Sequence, residues 1–338
     1  LLSDLEAFDD KRIKYFMIED DLCQTENCDL AISRASGEWI TMIGDDDIFS
    51  KHLVDYCKKW SVLGYEAVLP NKASYTWPDV EPRFYKSSMS GEFRVESYSG
   101  SIKVINTSEL PAKISRLGGT EILNLPRVYH GVVKKEILDK VFAHTGVYSP
   151  GPSPDIANAI ALCRYLTSFV SIDLPLITSG QGIASAGGKG SQGEHYGEIA
   201  KVEQLPRDAS EVWNQRIPFY WSGKTIYAES VFKSLTAMGM SSELKFFNYD
   251  YLYASCLVFD GNSDYRDRIF KAYRANTKSN IFKLAWYFVK IWCLRITFHV
   301  KKNLGCLRSS TDDINNINYV SNIVDVVKLL DDRIPDIK

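Results

Sequence analysis

The chain has 338 residues, 45% hydrophobic and 24% charged, with a formal net charge of −2. Such a length holds one large domain or two smaller ones around a sizeable core, and the absence of a basic excess argues against nucleic acid as a partner. Seven scattered cysteines without a C-x-x-C pair, and only five histidines, exclude a disulfide framework and a zinc site and suit a reducing, cytoplasmic compartment.

No uncharged run of about 18 residues occurs, so a membrane span is not expected. Aromatics reach 12%, including 19 Tyr and 7 Trp, a content that fits sugar stacking and a Tyr-rich core equally.

In chain order, Leu1, Leu2, Leu5 and Phe8 stand at helical spacing and predict the end of an amphipathic helix. Residues 12–18 alternate as a strand does, and 27–36 read as a short helix. Residues 38–43, rich in Trp, Ile, Thr and Met, have the composition of a buried strand. Residues 52–60 predict a helix and 67–69 a further strand. This alternation predicts an α/β domain whose mostly parallel sheet is flanked by helices, with ligands beyond the carboxyl ends of the strands.

At such an end stand Gly44 and then Asp45, Asp46 and Asp47. Three like charges beside a core strand call for something positive. Asp45 and Asp47, at alternate positions, can aim oxygens at one divalent cation, Mg²⁺ or Mn²⁺, that also holds a phosphate. A solvated acidic turn is the plainer alternative.

Residues 71–119 are irregular apart from a strand-like piece at 101–107. Residues 127–131 lead into a predicted helix over 132–142, and a Pro- and Gly-rich loop at 146–154 opens into another over 155–166. Asp155 stands at the start of that helix, where capping is the common role of an Asp. A carboxylate at a pocket rim can also act as a base.

A strand is predicted over 171–178. Residues 179–197 hold seven glycines and form either a linker or a lid over a ligand, with Lys189 and His195 as groups that can meet a phosphate. From residue 205 onward the pattern is helical, over 226–238, 244–259, 265–273 and 320–330. The most apolar stretch, 281–300, is interrupted by Lys283, Lys290, Arg295 and His299. It reads as a buried helix of an all-α subdomain or, nearly as well, as an interfacial helix making peripheral membrane contact over 281–302.

Asn27-x-Asp29-x-Ala31, Ala35-Ser36-Gly37-Glu38-Trp39-Ile40 and Gly44-Asp45-Asp46-Asp47, taken in order, resemble the nucleotide-sugar core of family 2 glycosyltransferases. Tyr129-His130-Gly131, Pro154-Asp155 and Pro175-Leu176-Ile177 running into Ser179-Gly180 are similar to the acceptor half of those enzymes.

The resemblance implies a GT-A (Rossmann-like) domain over 1–200, lacking the N-terminal strand–helix–strand unit, and a helical C-terminal region over 201–338. It also implies a metal-dependent, inverting transfer of a sugar from a nucleotide-sugar donor to a glycan or lipid-linked acceptor, as in bacterial surface polysaccharide synthesis. Two of the three Asp would form the D-x-D pair: Asp45 and Asp47 toward the metal, Asp45 and Asp46 toward the donor. Asp155 would be the base, with His130 and Glu121 in reserve. A sugar-phosphate nucleotidyltransferase and a non-catalytic GT-A-like scaffold are the competing readings.

Overall fold

The computed structural model describes residues 10–80, 90–185, 196–260, 263–303, 315–317 and 319–334. Helix α1 (Gln24–Arg34) opens on a reciprocal cap, in which Cys23 Sγ accepts from the Glu26 N–H and the Glu26 carboxylate from the Cys23 N–H. Then follow β1 (Trp39–Ile40), β2 (Ile48–Phe49), α2 (Leu53–Val62), β3 (Ala67–Thr76), β4 (Phe93–Val95) and β5 (Ile102–Asn106). Next come α3 (Leu110–Arg116), β6 (Val132–Lys134), α4 (Lys135–Thr145), α5 (Pro154–Leu162) and β7 (Ser168–Gln181).

These strands belong to one mixed sheet. Its spine is the long ladder of β3 against β7, parallel from Val68 opposite Val170 to Thr76 opposite Gln181. The shorter strands pair antiparallel: β1 and β4 lie on the path through β6 and β3, and β2 and β5 join β7. The expected parallel arrangement holds for this central ladder, and the shorter strands make the sheet mixed. Among the described residues, β3 and β7 are the long strands, and the connection between them is long enough to serve as a crossover.

The register of β3 shifts at Pro70, Asn71 and Lys72. Pro70 has no N–H for a ladder, and opposite it β7 carries the extra residues Asp173, Leu174 and Leu176, a bulge that re-aims the pairing beyond it.

The helical part comprises α6 (Gly223–Ala237), α7 (Ser241–Leu244), α8 (Tyr249–Phe259), α9 (Ser263–Ala275) and α10 (Ile281–Asn303). It is not separate from the first 200 residues, because Ile156 and Ile160 of α5 share a core with Val231, Leu235, Leu252 and Tyr253. The chain then returns to the sheet. Strand β8 (Asn315–Ile317) pairs with β4, and α11 (Ile323–Asp331) buries Val326 and Leu330 in the core that holds Tyr75 and Phe93. Ser50 Oγ donates to Asp331 Oδ1 at 2.7 Å, and Tyr75 OH to the Val320 carbonyl at 2.8 Å. Across the boundary expected at residue 200, the α/β and helical parts thus share cores.

Other expectations are corrected locally. Residues 12–18 are not a strand; alternation is present, but among the described residues no neighbour supplies a ladder. Residues 132–134 are strand, not the first turn of a helix, since β-branched Val132 and Val133 pair with β1 and β3 before α4 begins. The helix expected over 244–259 is broken by Asn248, whose side chain accepts from the Tyr251 N–H and starts α8 afresh. Helix α10 is mostly exposed, so the buried-helix reading of 281–300 fails. Among the described residues no helix is long and apolar enough to cross a membrane. The helix expected near Leu1 lies outside the described residues.

Candidate functional site

The site grows from the turn that follows β1. Gly44 N–H donates to Asp47 Oδ2 at 2.7 Å, curling the chain so that Asp47 points inward while Asp45 stays exposed. Asp47 is only 7% exposed, and both of its oxygens are engaged. Oδ2 also receives the Tyr129 hydroxyl at 3.0 Å and His130 Nε2 at 2.7 Å, and Oδ1 the Gly180 N–H at 2.8 Å. Burial alone would raise its pKa. The His130 ring, then the Gly44 and Gly180 amides, outweigh that and hold it at about 2.

A parallel bridge carries Tyr129 and His130 to this point: Met42 N–H donates to Val128 O, and His130 N–H to Met42 O, each at 3.0 Å. His130 has a φ of +57°, in the left-handed region, and its ring stacks on Tyr129 with centroids 4.0 Å apart. Lys72 Nζ stands 3.2 Å from His130 Nδ1. An ammonium can only donate, so Nδ1 accepts and Nε2 carries the proton given to Asp47. Burial keeps the ring neutral by lowering its pKa. It is Lys72 that brings positive charge to this chain of contacts.

Two glycines, Gly180 in β7 and Gly182 just beyond it, make room for the acidic turn. A Cβ on Gly180 would fall 1.7 Å from the Asp46 carbonyl oxygen, so no larger residue passes there. That carbonyl accepts from Trp77 Nε1 at 3.1 Å, and Gly182 N–H donates to Asp46 Oδ2 at 3.1 Å. The start of the Gly-rich stretch is thus packed backbone. Lys189 and His195 lie outside the described residues.

The opposite wall is the start of α5. Its N-cap is Ser153, and Asp155 sits in the first turn. Asp155 Oδ1 accepts from Ser153 Oγ and the Ile156 N–H, while Oδ2 receives only the Tyr227 hydroxyl of α6, at 3.3 Å. Buried Asn158, one turn on, accepts from the Val128 N–H and donates to the Tyr148 carbonyl at 3.1 Å. Asn158 therefore fixes α5 against the segment that carries Arg127 and His130.

Arg127 and Lys72 lie between the two walls. Lys72 is water-accessible yet crowded by protein, as on the side of an open cleft. That crowding, ahead of the Arg127 charge, lowers its pKa, while Asp47 and Asp155 oppose the change. Arg127 is lowered mainly by burial and raised by Asp155 and Tyr227. Tyr129 is raised by burial and then by Asp47, Asp46 and Asp155, so it remains a protonated donor. Tyr227 is likewise raised, first by Asp155.

Of the residues singled out in the sequence, Asp46, Asp47 and Asp155 all act on Tyr129, His130 is bonded to Asp47 and Asp45 lies in the same turn, whereas Glu121 acts on Tyr251 of α8. Lys72, Arg127 and Tyr227 were not recognisable as site members. The one signal for Lys72 is a Pro-Asn-Lys interruption of an apolar strand. With Asp47 filled by four protein donors, its assignment as a metal ligand is revised in favour of Asp46. Asp45 has no side-chain partner among the described residues, and Asp46 keeps Oδ1 uncommitted beside Gly44, where an added Cβ would lie 2.9 Å from it. Among the described residues no three His, Cys, Asp or Glu converge as a ready-made cage. An outward-facing carboxylate pair still fits Mg²⁺, which takes one or two carboxylates and completes its shell with substrate oxygens and water.

The fold and cleft define an α/β protein with acidic and basic groups facing one another at the end of a mixed sheet. Compared with known proteins, the chain matches no family model and no curated protein.

Proposed function

We propose that the chain is a GT-A-type glycosyltransferase that moves a sugar, with inversion, from a nucleotide-sugar donor to an acceptor hydroxyl. The observation that carries this reading is that the acidic turn and Asp155, on different elements, act on the same groups: Asp47 and Asp155 on Lys72, and Asp46, Asp47 and Asp155 on Tyr129. An acidic turn next to two cations is suited to a diphosphate that arrives with a divalent ion.

Asp45 and Asp46 would hold that ion, Mg²⁺ or Mn²⁺, whose charge offsets the negative charge that grows on the leaving diphosphate. Lys72 and Arg127 add fixed positive charge on the same side. Asp155 Oδ2, loosely held by Tyr227, takes the acceptor hydroxyl proton as that oxygen bonds to the anomeric carbon and the bond to the diphosphate breaks. Tyr227 and Arg127 keep the Asp155 carboxylate oriented. His130 is not free for this task, because both ring nitrogens are engaged.

The test is Asp155→Asn in the full chain, assayed with Mn²⁺ and a panel of uridine, guanosine and thymidine diphosphate sugars. Turnover should fall by about 10²–10⁴-fold, with nucleoside diphosphate binding and melting temperature unchanged, since an Asn Oδ1 can accept from Ser153 Oγ and the Ile156 N–H as the Asp does. Near-normal turnover would remove Asp155 as the base. No metal-dependent nucleotide binding in the parent protein would remove the reading altogether.

A further inference from the structure

Helix α10 rests on α8 through Leu284 and Ile291, which are buried, with Tyr287 and Phe288 beside them. Arg295 fastens it: Nη1 donates to the Val258 carbonyl at 2.7 Å, in the last turn of α8, and the guanidinium lies over the Phe259 ring. These contacts fix which way the rest of the helix faces.

At 100° per residue, the side opposite Leu284 and Ile291 carries Phe282, Trp286, Val289, Cys293, Ile296 and Val300. All six are exposed, Phe282 at 81% and Trp286 at 67%. An apolar stripe of this length would normally be buried or partnered. Along one flank run Lys283, Lys290 and Lys301, also exposed and without an ion pair among the described residues. Residues 281–303 contain five basic residues and no Asp or Glu, in a chain whose formal net charge is −2. The positive charge is gathered where the apolar side chains are.

We propose that α10 is a membrane-docking helix that lies flat on a bilayer bearing anionic lipid, its Phe282–Trp286–Ile296 stripe among the acyl chains and its lysines at the headgroups. The helix is about 34 Å long at 1.5 Å per residue, yet its basic residues keep it from crossing, in line with the lack of a spanning helix among the described residues. Charge complementarity selects the occupant. A second copy would set lysines against lysines with no carboxylate on either helix to offset them, whereas anionic headgroups neutralise the flank while the acyl region takes up the stripe. The inference rests on α10 alone and stands or falls apart from the glycosyltransferase reading.

Flotation of the full chain with phosphatidylcholine vesicles, with and without phosphatidylglycerol, tests it. Binding is expected with the anionic vesicles and should weaken as salt is added. Each basic residue at such a surface is worth roughly five-fold, so Lys283→Gln, Lys290→Gln and Lys301→Gln together should weaken binding about 100-fold. Phe282→Ser with Trp286→Ser should also weaken it, with circular dichroism and melting unchanged because both side chains are already in water. Three outcomes would overturn the proposal: no flotation with anionic vesicles, flotation indifferent to both sets of substitutions, or a concentration-dependent dimer, broken by Trp286→Ser, that does not bind vesicles.

Discussion

Asp47, at the end of the sheet, and Glu229, in helix α6, are carboxylates withdrawn from water to a similar extent, at 7% and 0% exposure. Their protons are held in opposite ways. Asp47 has four donors from three separate segments and is held at about 2. Glu229 has one backbone N–H, that of Asn214, shared between its oxygens at 3.2 Å each, and Lys233 at 3.5 Å; burial prevails and its pKa rises to about 6. Burial is common to both, so the number and quality of donors decide whether the charge survives. The cleft keeps an anion that organises the turn around Asp45 and Asp46. The helical core tolerates a carboxylate that is ready to become neutral.

The hardest blow to that contrast is Asp47→Ala. It leaves Tyr129, His130 and the Gly44 and Gly180 amides without their shared acceptor, and should cost about 1–3 kcal/mol for each buried donor left unpaired. Urea denaturation measures this, and a loss under about 1 kcal/mol would mean that the turn does not depend on Asp47.

Acid titration comes next. Because the folded pKa of Asp47 lies below its ordinary value of 3.8, its contribution is complete above that pH and is lost as pH falls toward about 2. The parent protein should therefore lose stability over that range, and Asp47→Asn should lose much less.

Glu229 has the opposite sign. Its folded pKa lies above the ordinary 4.5, so the stability it contributes is complete below 4.5 and is lost as pH rises through about 6. Glu229→Gln should match the parent at low pH and exceed it by about 2 kcal/mol above pH 6; parallel curves would dissolve the contrast.

The smallest effect belongs to Lys233→Met, which removes the charge that opposes burial. The upper end of the Glu229 window should move to higher pH, seen as a shifted inflection in the same urea series. An unmoved inflection would show that Lys233 does not act on Glu229.

Much of this architecture was legible in the sequence. The strand before the Asp triplet, the helix opened by Pro154, the strand over 171–178 and the amphipathic character of 281–300 all rest on local periodicity and turn residues, which act within a few positions. The facing of Asp155 and the triplet was not legible from spacing, since it depends on Asn158 tying α5 to Val128. Lys72 escaped notice because an ordinary lysine in a strand reads as a solvated face until a bulge and a histidine give it a partner. Nothing local distinguishes Asp47 from Asp45 either; their different fates follow from Tyr129, His130 and Gly180, all distant in the chain. Residues 12–18 show the converse, a good strand pattern with no partner to pair with.

The fastening of α11 to the sheet has a consequence for how the molecule is made. Ser50, just past the acidic turn, is held by Asp331, and Tyr75 of the central strand by the Val320 carbonyl. During synthesis, the sheet through β7 leaves the ribosome long before those partners exist, so Phe93, Val95 and Leu53 wait beside an unfinished core. The stretch that closes the sheet is translated well after β7. Nascent chains arrested before Val320 should therefore keep that apolar face open to chaperones, and release of the chain from them should coincide with the emergence of α11.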